Sequence, residues 1–411
     1  MARNTYPLAT LALLTAINFV NYIDRSVLFA VQPLVQAEFK FSDTQYGLLT
    51  TFFFAFYMVA APFIGMAADH WSRKWIVFAG ICLWSAATLL TAVAHDYWTL
   101  LIRHTVVAVG ESSYATIAPA LLADLFPEER RGRMLSIFYL AIPTGTAMGY
   151  ILGGYLGHHF GWRMPFYVAA LPGFLFALIF LLLPEPARGA SDHLTATPDR
   201  ATLRGLAHNG AFWTATLGMA MMTFALGGIS VFLPKFLSQY RGIPLDRANL
   251  LLGASIGANG IVATLFGGWL GDRLLRKQDS AYYLVSGAGM ALGIPAMIVA
   301  LYMAGPSMMP AIIAAEFLLL MNTGPLNAAI VNSVSARIRS SAIGVNLIVI
   351  HLLGDAFSPL LMGYISDHSS LPAAFTAAIV ATALSAVVLF YGMRYAPRLG
   401  PGRTNAVGAE A

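Results

Sequence analysis

The informative ionisable side chains inside long apolar stretches are Asp24, Arg25, Arg103, Glu111, Glu316, His351 and Asp355. A charge at the centre of a hydrocarbon layer costs ~2.5–3.5 kcal/mol on insertion scales, so such groups face a protein interior or a wet cavity. Asp24 and Glu111 are the candidates for proton coupling. A desolvated carboxyl prefers to be neutral, and a nearby guanidinium favours its ionised form. If an arginine changes partner between two conformations, the affinity of the carboxylate for a proton changes with it. In the first stretch Asn18, Asn21, Tyr22 and Arg25 fall on one helical face, with Asp24 at its border. Glu111 follows Arg103 by eight residues, about 12 Å along a helix axis. The two acids and two arginines then lie at compatible depths. A static ion-pair network holding helices together is the alternative reading. His351 and Asp355, spaced i,i+4, can form one hydrogen-bonded pair, and with Glu316 they make a candidate second polar site.

The elements that must carry these groups follow from composition. Of 411 residues 58% are hydrophobic and 10% charged, with mean hydropathy +0.69. Soluble domains are typically ~25% charged, so this surface must face lipid. Apolar runs long enough to cross a bilayer, ~20 residues each, lie at about 8–33, 44–67, 75–94, 97–122, 134–157, 164–183, 213–237, 247–270, 281–303, 308–331, 340–363 and 372–393. The first run begins soon after Arg3 and has no small-residue cleavage pattern, so it reads as a retained span. The expected fold is all-α and membrane-integral, with twelve transmembrane helices in two six-helix bundles around a central cavity. The expected organisation is an N-terminal bundle at 1–183, a cytoplasmic linker at 184–212, and a C-terminal bundle with a short tail at 213–411.

Charge supports this topology. With the N-terminus inside, seventeen of the 24 Lys and Arg residues fall in inner segments, five in outer loops, and Arg25 and Arg103 within spans. That bias places both termini in the cytoplasm and suits a bacterial inner membrane. A pI near 9.3 does not indicate nucleic acid, because the basic residues sit in short loops rather than on one face. Cys82 is the sole cysteine, so an internal disulfide is excluded. No metal-ligand spacing, nucleotide-binding loop or Ser/His/Asp arrangement is present. No cofactor, no metal and no enzymatic activity are expected.

The halves repeat each other. Gly65, Asp69, Arg73 and Lys74 follow the second span, and Gly268, Asp272, Arg276 and Lys277 follow the eighth with identical spacing. Such copies indicate two bundles related by an axis along the membrane normal. The pattern resembles the major facilitator superfamily over almost the whole chain, with Ser72 where the family's loop motif usually has Gly. The resemblance implies that Asp69 with Arg73 and Lys74, and Asp272 with Arg276, gate the cytoplasmic side. A plain positive-inside loop is the alternative. Five glycines of the fifth span, Gly145, Gly149, Gly153, Gly154 and Gly157, suit close helix approach or a hinge. Tight packing is the favoured reading.

Three stretches are more specific: Asn21-Tyr22-Ile23-Asp24-Arg25, Gly110-Glu111-Ser112-Ser113-Tyr114-Ala115-Thr116-Ile117-Ala118-Pro119, and Met134 to Tyr139 followed by Ala141-Ile142-Pro143. Together they resemble the Spinster family of lipid transporters. The resemblance implies a carrier of lysophospholipid or sphingosine-1-phosphate-like molecules; alternating access, proton coupling through the acids named above and a monomeric state are expected with it. It ties Asp24, Glu111 and Arg103 to coupling and headgroup binding. Arg25, Ser112, Thr116 and Tyr139 complete the expected substrate lining. A carrier of small organic anions such as sugar acids is the first alternative, since the same arginines would serve a carboxylate. A non-transporting membrane receptor or scaffold is the second.

Overall fold

The chain is described by a computed structural model over residues 6–187, 205–303, 305–334 and 338–397. Residues 188–204 of the expected linker, Arg337 and the tail after 397 lie outside the described residues. Twelve helical segments are long and apolar enough to span a membrane: α1 Tyr6–Ala30, α2 Asp43–His70, α3 Arg73–Thr91, α4 Tyr97–Leu125, α5 Arg133–Phe160, α6 Met164–Leu181, α7 Gly210–Tyr240, α8 Leu245–Leu275, α9 Ala281–Tyr302, α10 Met308–Asn332, α11 Ala342–His368 and α12 Leu371–Tyr395. Each meets the run expected from hydropathy, shifted by a few residues at its ends. No strand occurs among the described residues. That is what lipid demands, because a helix satisfies its own backbone donors and acceptors.

The starts of α2 and α4 are written locally. Ser42 caps α2, taking the Gln45 N–H while the Gln45 side chain takes the Ser42 N–H. Asp96 and Thr99 form the same reciprocal box at α4. Each box satisfies two donors that the first turn leaves open. Between α1 and α2 lies a short helix, Gln32–Phe39, closed by Lys40 in the left-handed region.

By Cα proximity the chain forms two compact units. One comprises Met1–Thr195, Ser230–Gly257 and Pro359–Leu371; the other comprises Ala196–Ile229, Ala258–Ser358 and Pro372–Ala411. The first unit thus contains more than the first six spans. It takes in the end of α7, the start of α8 and the end of α11. The reason is visible in its hydrogen bonds. Tyr150 donates to the Ser230 carbonyl at 2.7 Å, and Asn249 donates to the Ala30 carbonyl at 3.0 Å. Spatial grouping follows such contacts rather than the covalent repeat.

Within that unit glycines set how closely α1, α3, α4 and α5 approach. A Cβ on Gly145 would stand 2.6 Å from the Phe19 carbonyl oxygen, and one on Gly149 2.7 Å from that of Ile23. The glycine stripe of α5 is therefore a packing face against α1. A Cβ on Gly110 would lie 2.7 Å from the Trp84 backbone nitrogen, so Gly110 lets α4 approach α3 and fixes the depth of Glu111. Tyr114 then donates to the Leu14 carbonyl and ties α4 to α1.

Candidate functional site

The packing just described brings Arg25 of α1 to Glu111 of α4. The guanidinium donates to one carboxylate oxygen, Oε2, from Nη2 at 2.6 Å and from Nε at 3.3 Å. Glu111 is 1% exposed. The Asn21 amide, one turn before Arg25, stands beside the same carboxyl. Asp24 points elsewhere: Thr88 Oγ1 of α3 donates to its Oδ2 at 2.5 Å. The two acids are thus served by different partners, both inside the protein.

Aromatic rings surround the Arg25 guanidinium. Its carbon lies 4.9 Å from the ring centroid of Phe53, 5.0 Å from Tyr22, and 5.7 Å from both Phe54 and Tyr57. His104 of α4 is buried, with its ring 5.0 Å from Phe53.

The remaining expected lining residues are placed less centrally. Arg103 is half-buried and donates from Nη1 to the Leu90 carbonyl at 2.5 Å, at the last turn of α3. It does not join the Arg25–Glu111 pair. Arg103 and His104 leave α4 about 100° apart, so His104 faces inward while Arg103 turns to the neighbouring helix end. Ser112 and Thr116 donate to carbonyls of their own helix, Val109 at 2.8 Å and Ser112 at 2.7 Å. Tyr139 is 45% exposed. Among the described residues no cluster of three metal-ligating side chains occurs.

Sequence comparison identifies the group to which this site belongs. The Major Facilitator Superfamily profile matches residues 14–358. The chain is 35% identical over 382 residues to protein spinster homolog 1 of Bos taurus, covering 87% of this chain and 72% of that protein. The chain belongs to the Spinster family of the Major Facilitator Superfamily. It is also 33% identical over 387 residues to the sphingosine-1-phosphate transporter SPNS2 of Danio rerio, covering 88% and 76%. A solved bacterial homolog of the human lysosomal transporter Spinster, inward-facing and unoccupied, superposes with TM-score 0.87 at 25% identity, covering 95% of this chain and 98% of that one. This Spinster-family chain is an integral membrane transporter.

In this Spinster-family chain Arg73 of the loop motif reaches the end of α4 and the segment after α6. Its guanidinium binds Asp124 at 2.5 Å, Glu185 at 3.3 Å and the Pro186 carbonyl at 2.9 Å. Trp71 is extended at the end of α2, and Ser72 is extended before α3. That break turns Arg73 away from α2 and into the first turn of α3. The Lys74 N–H reaches Glu185 at 3.4 Å. In the repeat, Asp272 accepts the Tyr282 hydroxyl at 2.7 Å, and Arg276 is exposed.

The second unit holds the other polar group. His351 Nδ1 and Asp355 Oδ2 are 2.9 Å apart. They close a π-helical turn, His351–Asp355, a local widening often found at functional positions. The i,i+4 pair expected from sequence is formed. Glu316 stands apart from it and accepts the Asn259 amide at 3.0 Å.

Sequence reasoning missed Thr88, His104, the α2 rings Phe53, Phe54 and Tyr57 around Arg25, Asp124 and Glu185. Thr88 and His104 did carry a signal, being polar residues within apolar runs. Asp124 and Glu185 sit at a span end and in the Pro184-Glu185-Pro186 turn, where a charge has no unusual cost.

Proposed function

We propose that this transporter is proton-coupled, carries an anionic amphiphile such as a lysophospholipid or sphingosine-1-phosphate, and works by alternating access. The observation that carries the reading is the pair of a fully buried Glu111 with a half-buried Arg25, and a second buried acid, Asp24, next to that arginine in α1. A proton on Glu111 removes the charge that holds Arg25. The guanidinium then has donors for a phosphate or carboxylate headgroup. Return of the carboxylate charge releases that headgroup, so proton and substrate movement are linked through one side chain. Asp24 is the second proton-bearing acid, held by Thr88. The identity of the zebrafish relative as a sphingosine-1-phosphate transporter favours a lipid over a small organic anion.

The rest of the reading follows from charge and repeat. The Lys and Arg bias supports both termini in the cytoplasm and residence in an inner membrane. The repeat supports two six-span halves, 1–183 and 213–411, joined by a linker. On that orientation Arg73, Asp124 and Glu185 form the cytoplasmic latch of the first half, and Asp272 with Tyr282 its counterpart in the second. His351 and Asp355 are a second protonatable pair.

The test uses purified protein in liposomes with an imposed pH gradient. Labelled lysophospholipid, sphingosine-1-phosphate and a small organic acid are followed in wild type and Asp24→Asn. Gradient-driven lipid movement that the substitution abolishes supports the proposal. Movement of the organic acid alone overturns the substrate, and wild-type gradient dependence in Asp24→Asn removes that residue from coupling.

A further inference from the structure

A guanidinium held largely out of water, as that of Arg25 is, is poorly tolerated once it loses its counter-charge, because the surroundings screen the lone cation weakly. If Glu111 takes a proton, something other than a carboxylate must keep Arg25 from leaving or from holding the proton off. The rings around Arg25 have the right chemistry. All four lie within the ~6 Å range of cation–π attraction, and Phe53 and Phe54 present a negative quadrupole with no titratable group of their own. Three come from α2, where Phe53 and Tyr57 share a face, and Tyr22 comes from α1. Phe53 is the most confined. It is 1% exposed, edge-on to Phe54 at 5.3 Å, stacked on Tyr57 at 6.2 Å and tilted against His104 at 5.0 Å.

We propose that Phe53 is a positioning residue of the coupling step: its ring face retains the Arg25 guanidinium in the site while Glu111 is neutral. This rests on the reading of Glu111 as a proton-bearing carboxylate. The direction follows from electrostatics. With Glu111 ionised the ring faces a net-neutral ion pair. With Glu111 protonated it faces a full cation, and the attraction is larger. The cage therefore favours the protonated state. The other titratable groups facing the pair are Asp24 and Tyr22 from α1, Tyr57 from α2 and His104 from α4. Tyr57 and His104 also touch the Phe53 ring, so the band followed must be that of Glu111 itself.

The experiment replaces Phe53 with 4-fluoro-, 3,5-difluoro- and 3,4,5-trifluorophenylalanine, which weaken the quadrupole stepwise at almost constant shape, and separately with Leu. The carboxyl C=O stretch of Glu111 is followed by infrared spectroscopy across pH in the full-length protein, assigned by its loss in Glu111→Gln. Its midpoint is expected to move to lower pH with each fluorine, by roughly half to one unit in total, with Phe53→Leu moving it the same way. A titrating band whose midpoint stays fixed through the series overturns the cage and leaves the coupling role of Glu111 intact. A wild-type protein in which no Glu111 band titrates overturns that coupling role, and the cage with it. The fluorinated series keeps the proposal open to refutation if Phe53→Leu does not fold.

Discussion

Glu185 caps Arg73: its carboxylate accepts the Arg73 N–H at 3.1 Å, together with the Ser72 hydroxyl at 2.6 Å. The start of α3, which has no side-chain cap of its own, is closed by a residue beyond α6. Burial pushes the Glu185 carboxyl up, and the bonds from Ser72, the Arg73 and Lys74 N–H groups and the Arg73 guanidinium together hold it below its ordinary 4.5. A depressed carboxyl stabilises the fold above its unfolded pKa, and that contribution is lost as pH falls through the folded value. Glu185→Gln should therefore cost stability at neutral pH, about 0.5–1 kcal/mol for a partly screened cap. The difference from wild type should shrink below pH ~4.5 and vanish in stronger acid. Thermal unfolding in detergent against pH checks this, and a difference independent of pH would show that the charge of Glu185 is idle.

Asp43 is the centre of a second cluster. It accepts Lys235 Nζ, Ser366 Oγ at 2.6 Å and Gln36 Nε2 at 2.8 Å. Asp367 beside it accepts the N–H groups of Asp43 at 2.9 Å and Thr44 at 2.8 Å, adding a carboxylate at the positive end of α2. Removing one member of a buried pair costs ~3–5 kcal/mol when nothing else serves the survivor. Asp43 keeps two neutral donors, so Lys235→Met should cost less, about 2 kcal/mol. In a cycle with Asp43→Asn the two losses should fall short of additivity by ~1–2 kcal/mol. Additive losses would mean that the pair contributes nothing as a pair.

The glycines divide into two classes with opposite expectations. A Cβ on Gly47 would lie 2.3 Å from the Pro359 carbonyl oxygen, and one on Gly363 2.3 Å from that of Asp43. Both neighbours are backbone and cannot yield, so either Ala substitution should cost at least ~1–3 kcal/mol. The loop-motif glycines differ. A Cβ on Gly65 meets Thr116 Cγ2 at 3.7 Å, and one on Gly268 meets nothing within 4 Å. Gly65→Ala and Gly268→Ala should leave melting unchanged or raise stability by ~0.5–1 kcal/mol. If transport then falls, the requirement for Gly belongs to another conformation of the cycle. A lowered melting temperature in either variant would refute this division.

The spans, the repeat and the central acids were legible because each is a local or periodic property. Hydropathy fixes length, and a charge in an apolar run stands out without knowledge of any neighbour. Pairings were legible only along one helix. His351 with Asp355 is set by spacing alone, whereas Arg73 with Asp124 and Glu185 depends on how the backbone turns at Trp71 and Ser72. The cage around Arg25 was hidden for another reason. Phe53, Phe54 and Tyr57 stand in an aromatic stretch of an apolar span, indistinguishable in sequence from lipid-facing rings. The glycines of α5 announced close approach, but not that α1 was the partner that brings Arg25 to Glu111.

Arg103 separates a structural role from a transport role. Its guanidinium donates to the Leu90 carbonyl at the end of α3, a favourable place for a cation. Arg103→Gln keeps an uncharged N–H donor on a shorter side chain and removes the charge. If the arginine serves only α3, this variant should fold and transport like wild type, while Arg103→Ala loses ~0.5–1 kcal/mol of stability. If it also meets an anionic headgroup during the cycle, Arg103→Gln should keep its melting temperature yet show KM raised roughly tenfold or more, the loss of one hydrogen bond to a charged partner. The expectation is the second outcome, because Leu90 engages a single nitrogen, Nη1, in this conformation and a guanidinium has four further N–H donors. Liposome uptake against substrate concentration decides it. An unchanged KM would leave headgroup binding to Arg25.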